Sequence, residues 1–332
     1  MINAAGFTKE GNWYKGNLHS HTTVSDGMLT PEQDVKLFRD GGYSFLCISD
    51  HDVYGDWRSS FDTDDFILIP GIEYSAILYQ KKGAPERLKI HHLHGILGTR
   101  EMQAAATEGL FTHLQKVPPM KFYGSWNGAE VSQKMADMLC RHGCIVTYNH
   151  PIWSRVSEEE FIHTKGIAAL EIFNYNTVNE SDTGYDVTYW DRMLRLGYRV
   201  NAFASDDNHN EGHFDDALGG WICVKARTLT HEDIAAAFVA GNYYSSSGPE
   251  IRDWGICDGT VWIDCSPVNR INFVSGNIIN DGSSVLAEKF TDGLTHGEAR
   301  LKGHETYVRA ECVDKYGRKA WTNPIYINWQ AE

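Results

Sequence analysis

The sequence predicts an α/β fold, a run of β/α units over residues 1–250 followed by a small all-β domain over residues 251–332. Three observations carry this. From residue 17 to about 245, short apolar runs alternate with helical stretches that stop at glycine, the pattern of strands and helices taken in turn. After about Pro249 the helical periods thin out, Tyr307–Val313 alternates, and Asp314-Lys315-Tyr316-Gly317 is a turn signal. Finally, five of the expected strands lead into His, Asp or Glu. In a β/α barrel such strand ends share one face, where active sites sit.

Thr30-Pro31-Glu32-Gln33 starts a helix, with Thr30 as N-cap, Pro31 at the first helical position and Gln33 placed for a capping box. Val35, Leu37 and Phe38 are its apolar positions, Gly41-Gly42 ends it, and Phe45–Ile48 follows as a buried strand. The same succession recurs. A helix from about Ala129 to Arg141 stops at Gly143 before a Cys144–Tyr148 strand, and one from about Asp186 to Leu196 stops at Gly197 before Val200–Ala204. Thr230-His231-Glu232-Asp233 starts another, running to Gly241. Phe66–Ile69 and Ala168–Phe173 read as further strands, and Trp321–Trp329 as a strand carrying Pro324. Apart from its histidines, the segment 76–128 matches no pattern and reads as an insertion that shapes a pocket.

The 332 residues are 42% hydrophobic and 22% charged, ordinary for a globular protein with a real core. No window approaches the roughly 20 apolar residues that cross a bilayer. The polar N-terminal stretch lacks a signal core, so a cytoplasmic protein without a membrane partner is expected. Lys and Arg total 30 against 44 for Asp and Glu, a formal charge of −14. A duplex nucleic-acid binder needs a cationic surface to displace counterions, so no broad nucleic-acid surface is expected. A local cationic pocket remains compatible with that balance. The seven cysteines are scattered and form no C-x-x-C pair. That disfavours a disulfide framework or zinc ribbon and favours reduced, mostly buried thiols. The oligomeric state is not legible.

The unusual count is histidine: 13 of the 15 precede residue 232. Strand ends carry Asn17-Leu18-His19-Ser20-His21, Ser49-Asp50-His51, Gly71-Ile72-Glu73, Asn149-His150-Pro151 and Ser205-Asp206-Asp207-Asn208-His209. A lone strand-end histidine is ordinarily a capping or surface residue, but repetition at five ends is hard to assign to chance. His19 and His21 are two apart, so on an extended strand both imidazoles point the same way, and Asp207 and His209 share that spacing. Imidazole with carboxylate suits zinc, manganese or iron. Five or more histidines with three carboxylates exceed the four ligands of one tetrahedral zinc, so two or three divalent metals are expected. His113, His142, His163, His231, His296 and His304 lack such partners and read as packing or solvent histidines. His213, in the acidic loop 211–216, is left open.

Asn-Leu-His-Ser-His-Thr-Thr-Val-Ser-Asp-Gly (17–27), Ser-Asp-His-Asp (49–52), Gly-Ile-Glu-Tyr-Ser (71–75), Asn-His-Pro (149–151) and Asp-Asp-Asn-His (206–209) resemble the motifs of the PHP family, named for polymerase and histidinol phosphatase. The motifs cover residues 17 to about 210 in the expected order. The resemblance implies a distorted (β/α)7 barrel, a di- or trinuclear metal site and phosphoester hydrolysis. Carried over position by position, it implies His19, His21, Asp26, His51, His150, Asp207 and His209 as metal ligands, with Glu73 bridging metals. The family also has a histidine after that glutamate, for which His91, His92 and His94 are candidates. His92 is chosen and His94 stands close behind, because the two share a strand face. Asp50 and Asp206 are then expected to orient imidazoles from behind. Asp26 stands where some members have histidine.

The expected reaction is hydrolysis of a small phosphomonoester or nucleotide by a hydroxide bridging the metals, with Glu73, Asp207 and His209 at the chemistry. Arg155, just after His150-Pro151, is a candidate to hold the substrate phosphate, since guanidinium matches phosphate geometry. No G-x-S-x-G elbow or P-loop glycine pattern competes with this. The alternatives are phosphodiester or exonuclease chemistry on nucleic-acid ends, which the anionic balance disfavours, and a non-catalytic metal-binding scaffold, which intact motifs disfavour.

Overall fold

The computed structural model describes residues 2–276, 278–288 and 291–329. Its helices and strands follow from a repeated local rule. The helices Pro31–Asp40, Gly128–Arg141, Val187–Arg195 and His231–Val239 are each followed by a glycine in the left-handed region, at Gly42, Gly143, Gly197 and Gly241. Glycine lacks the Cβ that penalises this conformation, so the chain can reverse there and enter the next strand. The strands that follow are Phe45–Leu46, Cys144–Tyr148, Asn201–Ser205 and Tyr243–Ser246. Thr30 caps its helix as the sequence predicts: its hydroxyl accepts from Gln33 N, and Gln33 Oε1 accepts from Thr30 N at 2.9 Å.

Two parallel ladders position the strand ends. Asn12–Asn17 pairs with Phe45–Leu46, which pairs with Ile67–Leu68. Cys144–Tyr148 pairs with Ile167–Asn174, which pairs with Asn201–Ser205. Between them stands the hairpin Gly71–Tyr79 and Arg87–Leu97, whose second strand runs antiparallel to both neighbours. The segment that matched no sequence pattern thus begins with ordered sheet. On the far side the ladders meet directly: Ser20 bridges Asn208, with Asp207 N donating to His19 O at 2.9 Å and His21 N to Asn208 O at 3.0 Å. Seven chain segments meet in a single buried cluster, through Leu18, Phe45, Ile67, Ile96, Ile145, Ala169 and Phe203 among others.

The C-terminal part is rich in sheet. Ile251–Cys257, Thr260–Val268 and Leu294–Arg300 form one layer with Ala4–Ala5. Arg270–Ser275, Tyr307–Val313 and Lys319–Thr322 continue through Tyr243–Ser246 into the sheet that contains Asn12–Asn17. Trp254, Ile263, Ile271, Phe273 and Ala310 pack between the layers. The strand expected over Trp321–Trp329 is interrupted: Lys319–Thr322 ends, Asn323-Pro324 intervenes, and Ile325–Tyr326 resumes the pairing. Pro324 has no N–H to give the ladder. No helix among the described residues is long and apolar enough to cross a membrane.

Candidate metal centre

Glu73 is the hub. It is fully buried at the start of the Gly71–Tyr79 strand, rather than at a strand end, and it bridges His51 across the sheet. Five imidazoles surround its carboxylate: His19 at 3.1 Å, His21 at 3.4 Å, His51 at 3.0 Å, His92 at 3.4 Å and His150 at 3.2 Å. Asn149 Nδ2 donates to Glu73 Oε1 at 2.8 Å and fixes its orientation.

Asp207 is the second hub. It takes a left-handed φ of 58°, which a non-glycine residue adopts at a cost in strain, and this turns its carboxylate inward. Its Oδ1 lies 3.0 Å from His19 Nε2 and 2.9 Å from His21 Nε2, while Oδ2 accepts from Asn174 at 2.9 Å. The period-2 rule explains the neighbours. His19 and His21 face the centre while Ser20 faces away, its hydroxyl meeting Asp34 at 2.5 Å. Asn208 likewise faces away, donating to Asp34 at 3.0 Å. One buried carboxylate in the first helix thus holds both ligand-bearing segments from beneath.

Four overlapping groups have ligand atoms within 4.8 Å of one another: His19, His21, Glu73 and Asp207; His51, Glu73 and His92; His21, Asp26, His51 and His209; and His19, His150 and Glu171. The donor set of imidazole and carboxylate suits divalent transition metals. A stricter test is what the ligand atoms lack. His19 Nε2, His21 Nε2, His51 Nδ1, Glu73 Oε2 and Asp207 Oδ1 are all buried without a hydrogen-bond partner. Buried polar atoms are rarely left so, and here the orphans converge on one volume. Cations between them would satisfy every one.

The electrostatics agree. Burial would raise Glu73 and Asp207, but the surrounding imidazoles outweigh it and hold both carboxyls well below their ordinary range. Burial would lower His19 and His21, yet the carboxylates raise both, His21 to about 10. Burial dominates at His92 and keeps it neutral. His209 Nδ1–H donates to its neighbour's carbonyl, Asp207 O, at 2.9 Å, which leaves Nε2 directed at Asp26 Oδ1, 3.5 Å away.

The remaining sequence candidates divide. Asp26 sits at the rim, its side chain 55% exposed, 3.5 Å from both His51 and His209. His92 faces the centre. His94 shares its strand face but lies two residues deeper, about 6.6 Å along the strand. There its ring packs edge-on against His19 at 4.2 Å, and it belongs to none of the ligand groups. His91, on the opposite face, meets the Tyr148 hydroxyl at 2.5 Å and stacks on Trp126.

Asp50 and Asp206 do not orient imidazoles; neither pairs with a histidine among the described residues. Asp50 binds Thr22 N at 2.8 Å and the Ser25 hydroxyl at 2.7 Å, tying down the loop that carries Asp26. Asp206 accepts from Leu218, Gly219 and Gly220 N–H groups at 2.6–2.9 Å, because its position in the period-2 alternation turns it away from the centre. The orienting role belongs instead to Glu171, in the middle of Ile167–Asn174, which accepts from His19 Nδ1 at 2.8 Å and from His150 N at 3.0 Å. A single carboxylate inside an apolar strand was the available signal. Arg155 is exposed and does not line the cleft over the centre; Arg87 does, with Trp153, His213 and Phe214, around a cavity of about 210 Å³.

No protein-family model and no curated protein matches the chain. Among solved structures it is similar to a two-domain protein from Bacteroides vulgatus, described as containing a predicted PHP-like metal-dependent phosphoesterase. That likeness has 12% identity and a TM-score of 0.47, covering 96% of each chain. It is also similar to a protein from Bifidobacterium adolescentis described as a candidate metal-dependent phosphoesterase, at 16% identity and a TM-score of 0.41, over 68% of this chain and 95% of that one.

Proposed function

We propose that this chain is a PHP-type, metal-dependent hydrolase of small phosphate esters, its two parallel ladders and intervening hairpin forming a distorted seven-stranded barrel. The observation that carries the reading is Glu73, a buried carboxylate ringed by five imidazoles, with Glu73 Oε2 and the facing nitrogens of His19, His21 and His51 left without hydrogen-bond partners. His19, His21, Glu73 and Asp207 would hold one divalent ion, His51, Glu73 and His92 a second, and His21, Asp26, His51 and His209 a third. Zinc, manganese or iron in such a site lowers the pKa of water towards roughly 7 and neutralises phosphoryl charge.

The chain's own residues do the rest. Asn149 and Glu171 fix the carboxylate and imidazole orientations before substrate arrives, so little reorganisation accompanies the reaction. His209 and Asp26 stand at the rim, where water and the substrate enter. Arg87 supplies a cation at the mouth that draws an anionic substrate towards the cleft. The rim also carries Glu180 and Glu211, which repel a long polyanion and favour a small substrate over a nucleic-acid strand. No covalent nucleophile from the protein is needed. Protein supplied with manganese or zinc should hydrolyse p-nitrophenyl phosphate faster than its bis ester and leave single-stranded oligonucleotides intact. Preferential digestion of the oligonucleotides would favour the exonuclease reading instead.

A further inference from the structure

Beside the metal cleft lies a second cavity, of about 190 Å³, lined among others by Arg87, Leu88, Lys89, Trp153 and Arg155. Arg87 and Trp153 line both cavities, so the two adjoin. Lys89 is engaged, its Nζ 2.6 Å from Glu160. Neither guanidinium makes a hydrogen bond or ion pair with the described residues. What sets these two arginines apart is their place: both line a cavity that adjoins the metal cleft.

The wall between the cavities is rigid. Trp153 Nε1 donates to Glu180 at 2.6 Å, and the ring lies against His150 at 5.1 Å and His92 at 6.1 Å. Arg155 is held in a left-handed φ of 59°, by Arg155 N donating to Ile152 O at 3.2 Å in the turn that follows His150. The loop that carries a metal-facing imidazole therefore also presents the arginine.

We propose that Arg87 and Arg155, with Trp153 as the shared wall, form a subsite for a second phosphate group, so that the preferred substrate is an organic bisphosphate. One phosphate meets the Glu73 cluster while the other meets the two guanidiniums. The assignment rests on the phosphoesterase reading above. Two guanidiniums match the charge of a phosphate monoester, about −1.5 to −2 near neutral pH, better than the single charge of a carboxylate. Leu88 and Trp153 offer apolar surface for the carbon chain that joins the two ends.

The test uses non-hydrolysable phosphonates on straight alkyl chains of three to six carbons, titrated calorimetrically into the metal-loaded protein. At each length a bisphosphonate is compared with the monophosphonate and with the phosphonate ending in a carboxylate. At one length the bisphosphonate should bind about tenfold tighter or more than the monophosphonate. Arg87→Ala or Arg155→Ala should each shrink that ratio about tenfold, and Arg155→Lys should restore part of it. The subsite is overturned if the monophosphonate binds and the bisphosphonate binds no tighter, if the ratio survives both alanine variants, or if the carboxylate-ended compound matches the bisphosphonate. A protein that binds no phosphonate and leaves p-nitrophenyl phosphate intact would overturn the phosphoesterase reading, and the subsite with it.

Discussion

Glu171 accepts the Nδ1–H of His19 at 2.8 Å, and this fixes the imidazole so that Nε2 faces Glu73 at 3.1 Å and Asp207 at 3.0 Å. The same carboxylate takes the backbone N–H of His150 and the hydroxyl of Ser205. It thereby sets the His19 imidazole directly and the backbone of the His150 turn beside it.

Glu171→Gln keeps the shape and removes the charge. Metal affinity or phosphoesterase activity should fall roughly 10–100-fold, the usual effect of losing a carboxylate behind a ligating histidine. Metal titration and circular dichroism together check this. A variant that unfolds, or one that binds metal as tightly as the parent, would contradict the role.

Asp34 joins the two ligand segments through Ser20 and Asn208, and its burial raises the carboxyl to about 7 against the lowering effect of those hydrogen bonds. The ordinary value is 3.8, so between the two the folded chain keeps a proton that the unfolded chain has released. Its contribution to stability therefore declines as pH climbs from about 4 to about 7 and then levels off, by at most a few kcal/mol. Asp34→Asn should remove this component. The stability difference between parent and variant, from urea unfolding at about pH 4.5 and about pH 8, should shift towards the variant at the higher pH. An unchanged difference would rule the titration out.

Arg309, on the Tyr307–Val313 strand and 1% exposed, ties the C-terminal sheet to the helix Val187–Arg195. Its Nε and Nη2 donate to Asp191 at 3.0 and 2.9 Å, and its guanidinium lies 4.7 Å from the Trp190 ring centroid. Arg309→Met leaves Asp191 unpaired. Removing one member of a buried pair costs about 3–5 kcal/mol, and the 24% exposure of the Asp191 side chain points to the lower end. Denaturant unfolding should show it; a loss below about 0.5 kcal/mol would mean that the pair contributes nothing beyond a surface contact.

Much of the centre was legible because metal ligation imposes local spacing. His19 with His21 and Asp207 with His209 sit two apart on extended chain, and the structure brings all four together with His51, Glu73 and His150. Helix starts and stops were equally readable, since Thr30-Pro31 and the glycines act through neighbouring residues alone. What escaped were residues whose partners lie far along the chain. Glu171 reaches His19 from 152 positions away, and its apolar strand neighbours mark it only as a buried carboxylate without naming its partner. Asp207 was assigned as the inward aspartate, but the partners of Asp206, the N–H groups of residues 218–220, lie in a loop that its own neighbours do not announce. Arg87 was hidden because the antiparallel hairpin that carries it breaks the β/α alternation. Arg155 could be noticed by its position after His150 but not placed, because the turn leads it away from the cleft.

The central claim is that Glu73 organises a multinuclear metal site. Its most direct test is the metal content per chain, by inductively coupled plasma mass spectrometry, of parent and Glu73→Gln after loading with manganese or zinc. The parent should hold two or three divalent ions. The variant should hold at least one fewer, with its circular dichroism unchanged and hydrolysis of p-nitrophenyl phosphate at background. A parent that takes up no metal, or a variant that holds as much and reacts as fast, would contradict the account.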